Sequence, residues 1–217
     1  MSIIVVGGHS RNVGKTSVVA GLIAALPEFH WTAMKITQYG HGICSTNGKQ
    51  CHCATDDHSW AVSEELNRSG KSDSSRFLVA GAARALWVRT RQGMLAQAMP
   101  RVRKEIAAAE NVILESNSIL RFVRPNLYLT VLDAATEDFK ISAQIYLDRA
   151  DAVILHSGIG GVAWKTVSLK PVAGKPTFRI TPPQYVTPEL VDFVRDRLLQ
   201  SRSNHQVTDL PSSMPRG

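Results

Sequence analysis

One segment near the start of the chain carries the residue types and spacing of a phosphate-binding loop. Residues 8–16 follow an apolar run, precede a helix-like stretch and end in Gly-Lys-Thr. A glycine-containing turn at a helix start lets backbone N–H groups surround phosphate oxygens, and the helix dipole favours their negative charge. In such a loop, Lys15 reaches the β- and γ-phosphates and the Thr16 hydroxyl binds Mg²⁺.

The loop therefore predicts a bound nucleoside triphosphate with Mg²⁺. The nucleotide contacts are expected from Gly8, His9, Ser10, Arg11, Asn12, Val13, Gly14, Lys15, Thr16 and Ser17.

The elements that must position this loop alternate between strands and helices. Apolar, β-branched runs predict strands at 3–6, 31–37, 85–90, 112–114, 127–132, 152–155 and 178–180. Periodicity and capping residues predict helices at 15–26, 59–66, 72–80, 94–109, 140–149 and 188–199. This alternation predicts an α/β fold of the P-loop NTPase type, with a mainly parallel sheet and helices on both faces.

The length of the chain indicates one domain. Its 217 residues are close to the ~100–200 residues of a typical domain. We predict a single domain over residues 1–200, with an inserted Cys- and His-containing loop at about 38–58. The stretch 201–217 is polar with scattered prolines, and we expect it to be a disordered tail.

Charge and apolar content limit the partners. The formal net charge of +7 favours anionic partners, and nucleotide phosphates satisfy that preference. No recognised nucleic-acid-binding module accompanies the charge, so we do not predict nucleic-acid binding. No run approaches the ~18 apolar residues of a membrane helix, and the first residues lack a basic start and a cleavage site. We therefore expect a cytoplasmic protein without membrane association.

The loop also resembles that of one branch of P-loop proteins. Counted from Gly8, five residues separate its two glycines, one more than in the common motif. This longer loop ending Val-Gly-Lys-Thr resembles that of dethiobiotin synthetases and related amidotransferase-type synthetases. The broader class includes MobB, the accessory GTP-binding protein B of molybdopterin-guanine dinucleotide synthesis, and the nickel-insertion GTPases. Ser10 stands where partitioning ATPases of this class carry a second signature lysine, which argues against that branch.

The resemblance implies roles for two residues at strand ends. In the synthetase and MobB families, a lysine at the end of the second strand faces the phosphates, so Lys35 is implied to stabilise a transferring phosphoryl group. Glu115 lies in a segment similar to one that usually reads Val-Glu-Gly, and an acid leaving a buried strand can hold Mg²⁺ directly or through water. With Lys15, these are the predicted catalytic residues. The alternatives are a surface lysine and an ordinary acid at a strand end.

Two further segments resemble parts of the same families. Residues 70–77, followed by Ala-Gly-Ala, are similar to a stretch of MobB proteins, and dethiobiotin synthetases place an aspartate here near the metal. Asp73 is thereby implied as a second Mg²⁺ ligand, and a helix cap is its alternative role. Pro182 and Pro183 follow the last strand, where these synthetases often carry a base-contacting loop. The sequence has no guanine-reading Asn-Lys-x-Asp motif, and both ATP and GTP stay open.

The inserted loop concentrates ligands for a transition metal. Three thiolates and one imidazole would complete a tetrahedral Zn²⁺ site. The candidate ligands of Zn²⁺ or another transition metal are Cys44, Cys51, Cys53, His41, His52 and His58. The site would be structural, transferable or a cluster shared across a dimer. The alternative is a flexible loop with reduced cysteines.

These features together predict a Mg²⁺-dependent nucleoside triphosphatase that acts in cofactor biosynthesis or metal-centre maturation. A second hypothesis is an ATP-dependent ligase that phosphorylates a carboxylate or carbamate. A third is a non-catalytic adaptor whose metal-binding surface is switched by nucleotide. The expected partners are the nucleotide, a client metalloenzyme or small-molecule acceptor, and a second copy in a homodimer by analogy with the class.

Overall fold

Strands and helices alternate from the first residues to the last helix. The computed structural model describes residues 1–39, 59–158, 164 and 167–208, and side chains to residue 201. The strands are β1 (Ser2–Gly8), β2 (Trp31–Tyr39), β3 (Trp60–Glu64), β4 (Arg84–Arg91), β5 (Asn111–Glu115), β6 (Leu127–Leu132), β7 (Ala152–His156) and β8 (Thr177–Ile180). The helices are α1 (Lys15–Ala25), α2 (Asp73–Val79), α3 (Leu95–Ala107), α4 (Ile141–Gln144) and α5 (Pro188–Thr208).

All eight strands form one sheet in the order β3-β4-β2-β5-β1-β6-β7-β8. Every neighbouring pair is parallel except β3 and β4, which are antiparallel. The loop-bearing strand β1 lies inside the sheet between β5 and β6. This confirms the predicted α/β fold with a mainly parallel sheet.

Two apolar cores hold helices against opposite faces of the sheet. Leu22 of α1, Phe77 of α2 and Val194 of α5 belong to one core. Val102 of α3 belongs to the other. Helices thus cover both faces of the sheet. The carboxyl ends of the parallel strands meet at one edge, which is where ligands bind in open α/β sheets.

The register of the sheet brings the predicted site residues side by side. Glu115, the last residue of β5, is the Cα partner of Lys35 on β2 and of Val6 on β1. The phosphate loop begins two residues after Val6. The backbone register alone therefore places Lys35, Glu115 and the phosphate loop next to one another.

Three predicted elements differ in the structure. The helix predicted at 59–66 is wrong: Trp60–Glu64 is strand β3, which pairs with β4 and so satisfies backbone groups that would otherwise form an open sheet edge. The helix predicted at 140–149 is broken into α4 and a short 3-10 turn at Leu147–Arg149. The last helix continues past residue 199 to Thr208, into the stretch predicted to be disordered. The remaining tail, 209–217, lies outside the described residues.

Candidate nucleotide-binding site

The phosphate loop connects β1 to α1 through a glycine in the left-handed region. Gly14 has φ +85°, immediately before the first helical residue Lys15. A Cβ atom at Gly14 would lie 2.4 Å from Cε1 of Tyr185. The helix start therefore requires glycine for two reasons, the backbone conformation and the close approach of Tyr185.

Lys15 folds back across the loop. Its Nζ donates a hydrogen bond of 2.5 Å to the carbonyl oxygen of Ser10. Burial, opposed by the Glu115 carboxylate and assisted by the charges of Lys140 and Lys35, lowers the pKa of Lys15 to about 8. An anion placed beside this ammonium would stabilise its charge, which is what a phosphate group does in a loop of this kind.

Four predicted residues converge beside the loop. Lys35 Nζ lies 2.5 Å from Glu115 Oε1 and 2.7 Å from Asp73 Oδ2. The Thr16 hydroxyl donates to Glu115 Oε2 at 2.8 Å, and Lys35 Nζ is 3.3 Å from the same hydroxyl. Burial alone would lower the pKa of Lys35, but the carboxylates of Glu115 and Asp73 outweigh it and raise that pKa.

The oxygen atoms around Lys35 fit a magnesium ion. A hydroxyl from Thr16 and carboxylates from Glu115 and Asp73 surround one cation, the Lys35 ammonium. Such hard oxygen donors are the ligands that Mg²⁺ prefers, together with substrate phosphates. Among the described residues, no group of three or more His, Cys, Asp or Glu side chains could hold a metal ion alone. A magnesium ion here would therefore complete its coordination with phosphate oxygens or water.

His9, which is predicted to contact the nucleotide, also supports the loop from within the protein. It is fully buried, and its backbone N–H donates to the Val131 carbonyl at 3.2 Å. The Asp133 N–H donates to His9 Nε2 at 3.0 Å, so Nδ1 carries the proton that is donated to the Asp138 carbonyl at 2.8 Å. Burial lowers the pKa of His9, in keeping with this neutral ring. Both its main-chain donor and its ring are thus engaged.

Asp138 and Asn117 also hold the loop, and sequence analysis assigned no role to either. The Ser10 hydroxyl donates to Asp138 Oδ2 at 2.5 Å. Asn117 makes a reciprocal pair with Gly8: Gly8 N–H donates to Asn117 Oδ1 at 2.9 Å, and Asn117 Nδ2 donates to the Gly8 carbonyl at 2.8 Å. The only sequence signal for Asn117 is its position two residues after Glu115.

The phosphate loop also contacts the end of β7 and the segment that follows β8. His156 Nε2 donates to the Val13 carbonyl at 3.0 Å, and Val13 is fully buried. His156 is a further residue that sequence analysis left without a role. The loop after β8, which contains the predicted Pro182 and Pro183, reaches back to the start of α1 through Tyr185.

A groove of about 800 Å³ runs along α1 beside this connection. Ser17, Arg76, Pro183 and Tyr185 lie among its lining residues. Arg76 Nη2 donates to the Ser17 hydroxyl at 2.9 Å. Two predicted nucleotide contacts, Ser17 and Pro183, are thus brought to one groove, whereas Pro182 does not line it.

The remaining predictions divide into exposed and undescribed residues. Arg11 and Asn12 are exposed at the tip of the loop, and Asn12 adopts a left-handed φ of 58°, which asparagine tolerates. The candidate transition-metal ligands of the inserted loop lie outside the described residues.

No helix in the described ranges is long and apolar enough to cross a membrane.

Comparison with known proteins finds similarity at the level of structure only. No protein-family model matches the chain, and no curated protein matches its sequence. HypB from Helicobacter pylori, solved in complex with nickel, has 15% identity and a TM-score of 0.47, with 93% of this chain and 87% of that chain covered. MobB from Bacillus subtilis has 15% identity and a TM-score of 0.41, with 91% and 98% covered. LpxK from Aquifex aeolicus, solved with ATP, has 19% identity and a TM-score of 0.43, with 82% and 53% covered.

HypB and MobB represent two of the protein classes that the sequence resembles. At these identities the similarity concerns the fold alone, and the roles of individual residues depend on the geometry of this chain.

Proposed function

We propose that this protein binds a nucleoside triphosphate with Mg²⁺ at residues 8–16 and hydrolyses it. The observation that carries the proposal is the convergence of Lys35, Asp73, Glu115 and Thr16 beside Lys15. Two cations and two carboxylates meet at the carboxyl edge of the sheet, directly at the mouth of a phosphate loop. The burial of the Lys35 and Glu115 side chains favours this role over the alternatives of a surface lysine and an ordinary acid at a strand end.

Each residue of the cluster supports one part of the chemistry. Lys15 and Lys35 would offset the negative charge that develops on the transferring phosphoryl group. Thr16 and Glu115, with Asp73, would hold Mg²⁺. When bound, that ion neutralises phosphate charge and orients the β- and γ-phosphates. The Thr16–Glu115 hydrogen bond already holds these two oxygen donors together.

We propose that the base and ribose lie on the side of the loop that faces the groove along α1. Ser17 and Pro183 line one groove, and Tyr185 covers Gly14. The proposal is supported by the two predicted nucleotide contacts, Ser17 and Pro183, that line this groove next to the phosphate loop. Neither ATP nor GTP is favoured by these side chains, and we propose both as substrates to be compared.

Phosphate release from ATP and from GTP tests the proposal. We expect Mg²⁺-dependent release by the full-length protein, loss of that release in Glu115→Gln, and retention in Glu110→Gln, a matched change at an exposed glutamate that pairs only with His30 among the described residues. Release that appears only with an added carboxylate or amine acceptor would favour the ligase. Binding without any turnover would favour the non-catalytic adaptor.

For the biological setting we propose cofactor biosynthesis or metal-centre maturation. This part of the proposal is supported by the sequence resemblance to MobB and the nickel-insertion GTPases. A homodimer, a client metalloenzyme and a metal bound by Cys44, Cys51 and Cys53 belong to the same proposal. Metal content per chain, measured on protein purified without a histidine tag, tests the last of these.

A further inference from the structure

A third lysine lies on the flank of the phosphate loop opposite Lys35. Lys140 follows β6, and β6 adjoins β1 on the side away from β5 and β2. The backbone N–H of Lys140 donates to the His9 carbonyl at 2.8 Å, which fixes this residue against the loop. The loop is therefore flanked by Lys35 from one side and by Lys140 from the other.

The charge of Lys140 acts on the same site as the predicted lysines. It lies within electrostatic range of Arg11, Asp138, Lys35 and Glu115, and it acts on Lys15 as well. The side chain is half-buried. The backbone bond to His9 and this partial burial therefore keep Lys140 beside the phosphate loop.

Lys35 and Lys140 differ in how their charge is balanced. Lys35 is bound by the carboxylates of Asp73 and Glu115. Within the described ranges, the side chains of Lys140 and Arg11 make no hydrogen bond or ion pair, and Asp138 accepts a hydrogen bond from Ser10. Burial and the repulsion of Arg11 lower the pKa of Lys140. An anion beside the half-buried Lys140 ammonium, which has no bound carboxylate in the part of the chain that the structure describes and is repelled by Arg11, would stabilise its charged form.

We infer that Lys140, together with Arg11, forms an anion subsite that binds a phosphoryl oxyanion at the outer edge of the loop. This inference rests on the proposed function, since the loop must hold a nucleotide for the subsite to be adjacent to it. Two sources share this chemistry. One is the terminal phosphoryl group of the triphosphate, and the other is an inorganic phosphate bound next to the diphosphate.

Calorimetric titrations of the full-length protein test the inference. The ligands are non-hydrolysable ATP and GTP analogues, ADP and GDP, and inorganic phosphate added to the diphosphate complex, all with Mg²⁺. The variants are Lys140→Met, which keeps the aliphatic stem, and Lys140→Arg, which keeps the charge. Lys104→Met is the matched control, because Lys104 is an exposed lysine on α3.

We expect Lys140→Met to weaken triphosphate binding about tenfold while diphosphate affinity stays unchanged, as for the loss of one charge-assisted hydrogen bond. Lys140→Arg restores most of the loss and Lys104→Met causes none. If Lys140→Met leaves triphosphate affinity unchanged but abolishes the binding of inorganic phosphate to the diphosphate complex, the subsite binds inorganic phosphate. Unchanged affinity for all of these ligands would overturn the inference. A wild-type protein that binds no nucleotide would instead refute the proposed function.

Discussion

Lys35 Nζ lies 2.5 Å from Glu115 Oε1, and the two residues are Cα partners on adjacent strands. The Glu115 side chain is only 3% exposed and that of Lys35 15%. Removing Lys35 leaves the buried Glu115 carboxylate without its cation, and breaking such a pair costs about 3–5 kcal/mol. We therefore expect Lys35→Met to lower the free energy of unfolding by that order. Glu115→Gln should lower it by less, because Lys35 keeps its ion pair with Asp73. Urea denaturation measures both losses.

A double variant distinguishes the energetic coupling between Lys35 and Glu115 from independent destabilising effects of the two substitutions. In Lys35→Met with Glu115→Gln, neither charge remains, so the loss should be clearly smaller than the sum of the two single losses. Asp73 accepts from Lys35 but is about half exposed, and Asp73→Asn should cost less than Glu115→Gln. Additive losses in the double variant would show that the pair is not coupled.

The buried ammonium of Lys15 predicts that nucleotide binding takes up protons at alkaline pH. Its pKa of about 8 in the free protein should rise when phosphate lies beside it, because an anion stabilises the charged form. Above pH ~8 the free protein is increasingly neutral at Lys15, and binding must then recharge it. Titration in two buffers of different ionisation enthalpy should show uptake near pH 8.5 and less near pH 6.5.

Lys15→Arg provides the control for that experiment, since arginine keeps its proton throughout this range. If the variant binds, its uptake should be absent at both pH values. The same uptake in Lys15→Arg as in the wild type would assign the proton to another group.

The neutral ring of His9 predicts a loss of stability in acid. Its pKa lies below the ordinary value of 6.5, because burial disfavours the charged form. The unfolded chain therefore binds a proton first as the pH falls, and the stability that is present above pH 6.5 is lost progressively below it, by at most ~1.4 kcal/mol per pH unit for one proton. Denaturation between pH 7.5 and 5.5 should show this slope in the wild type.

Two substitutions test whether His9 is the cause. In His9→Gln the fall with pH should be shallower, although the variant is less stable at every pH because two hydrogen bonds change. In His30→Gln, a change at a surface histidine that contacts Glu110, the slope should persist. Equal slopes in the wild type and His9→Gln would contradict the neutral tautomer.

Substituting alanine at Gly14 should cause a steric clash whose effect on stability can be separated from that of backbone strain. Gly14→Ala and Gly81→Ala both place alanine at a positive φ, +85° and +103°, which costs about 1–2 kcal/mol. A Cβ at Gly81 meets nothing within 4 Å, whereas one at Gly14 meets Tyr185. Gly14→Ala should therefore destabilise more than Gly81→Ala and also weaken nucleotide binding. The excess should shrink in a Tyr185→Ala background, and its persistence there would point to another cause.

The sequence was sufficient to predict the parts of the site that depend on strand ends. Apolar runs identified β2 and β5, and parallel strands place their carboxyl ends at one edge, so Lys35 and Glu115 could be predicted to meet there. Asp73 was predicted by resemblance, with a helix cap as its alternative role. The cap of α2 is Ser72, whose hydroxyl accepts from the Ser75 N–H, and Asp73 is the first residue of the helix. Its contact with Lys35 could not be predicted, because it depends on how α2 packs against the sheet.

The supports of the loop could not be predicted because they join residues far apart in the chain. His9 contacts Asp138, and Gly8 contacts Asn117, across more than a hundred positions. No local periodicity encodes such pairs. Strand β3 was missed for a related reason: its identity depends on the exposed edge of β4, and a short amphipathic segment is ambiguous on its own.

The central claim is tested most directly by isothermal calorimetry. Non-hydrolysable ATP and GTP analogues, each in the presence of Mg²⁺, are titrated into the wild-type protein and into Lys15→Met. We predict one site per chain in the wild type for at least one nucleotide. Affinity should fall by a factor of about 100 or more in Lys15→Met, since a buried charged contact to phosphate is lost. No binding of either nucleotide to the wild type, or equal affinity in Lys15→Met, would contradict the assignment of residues 8–16 as the triphosphate site.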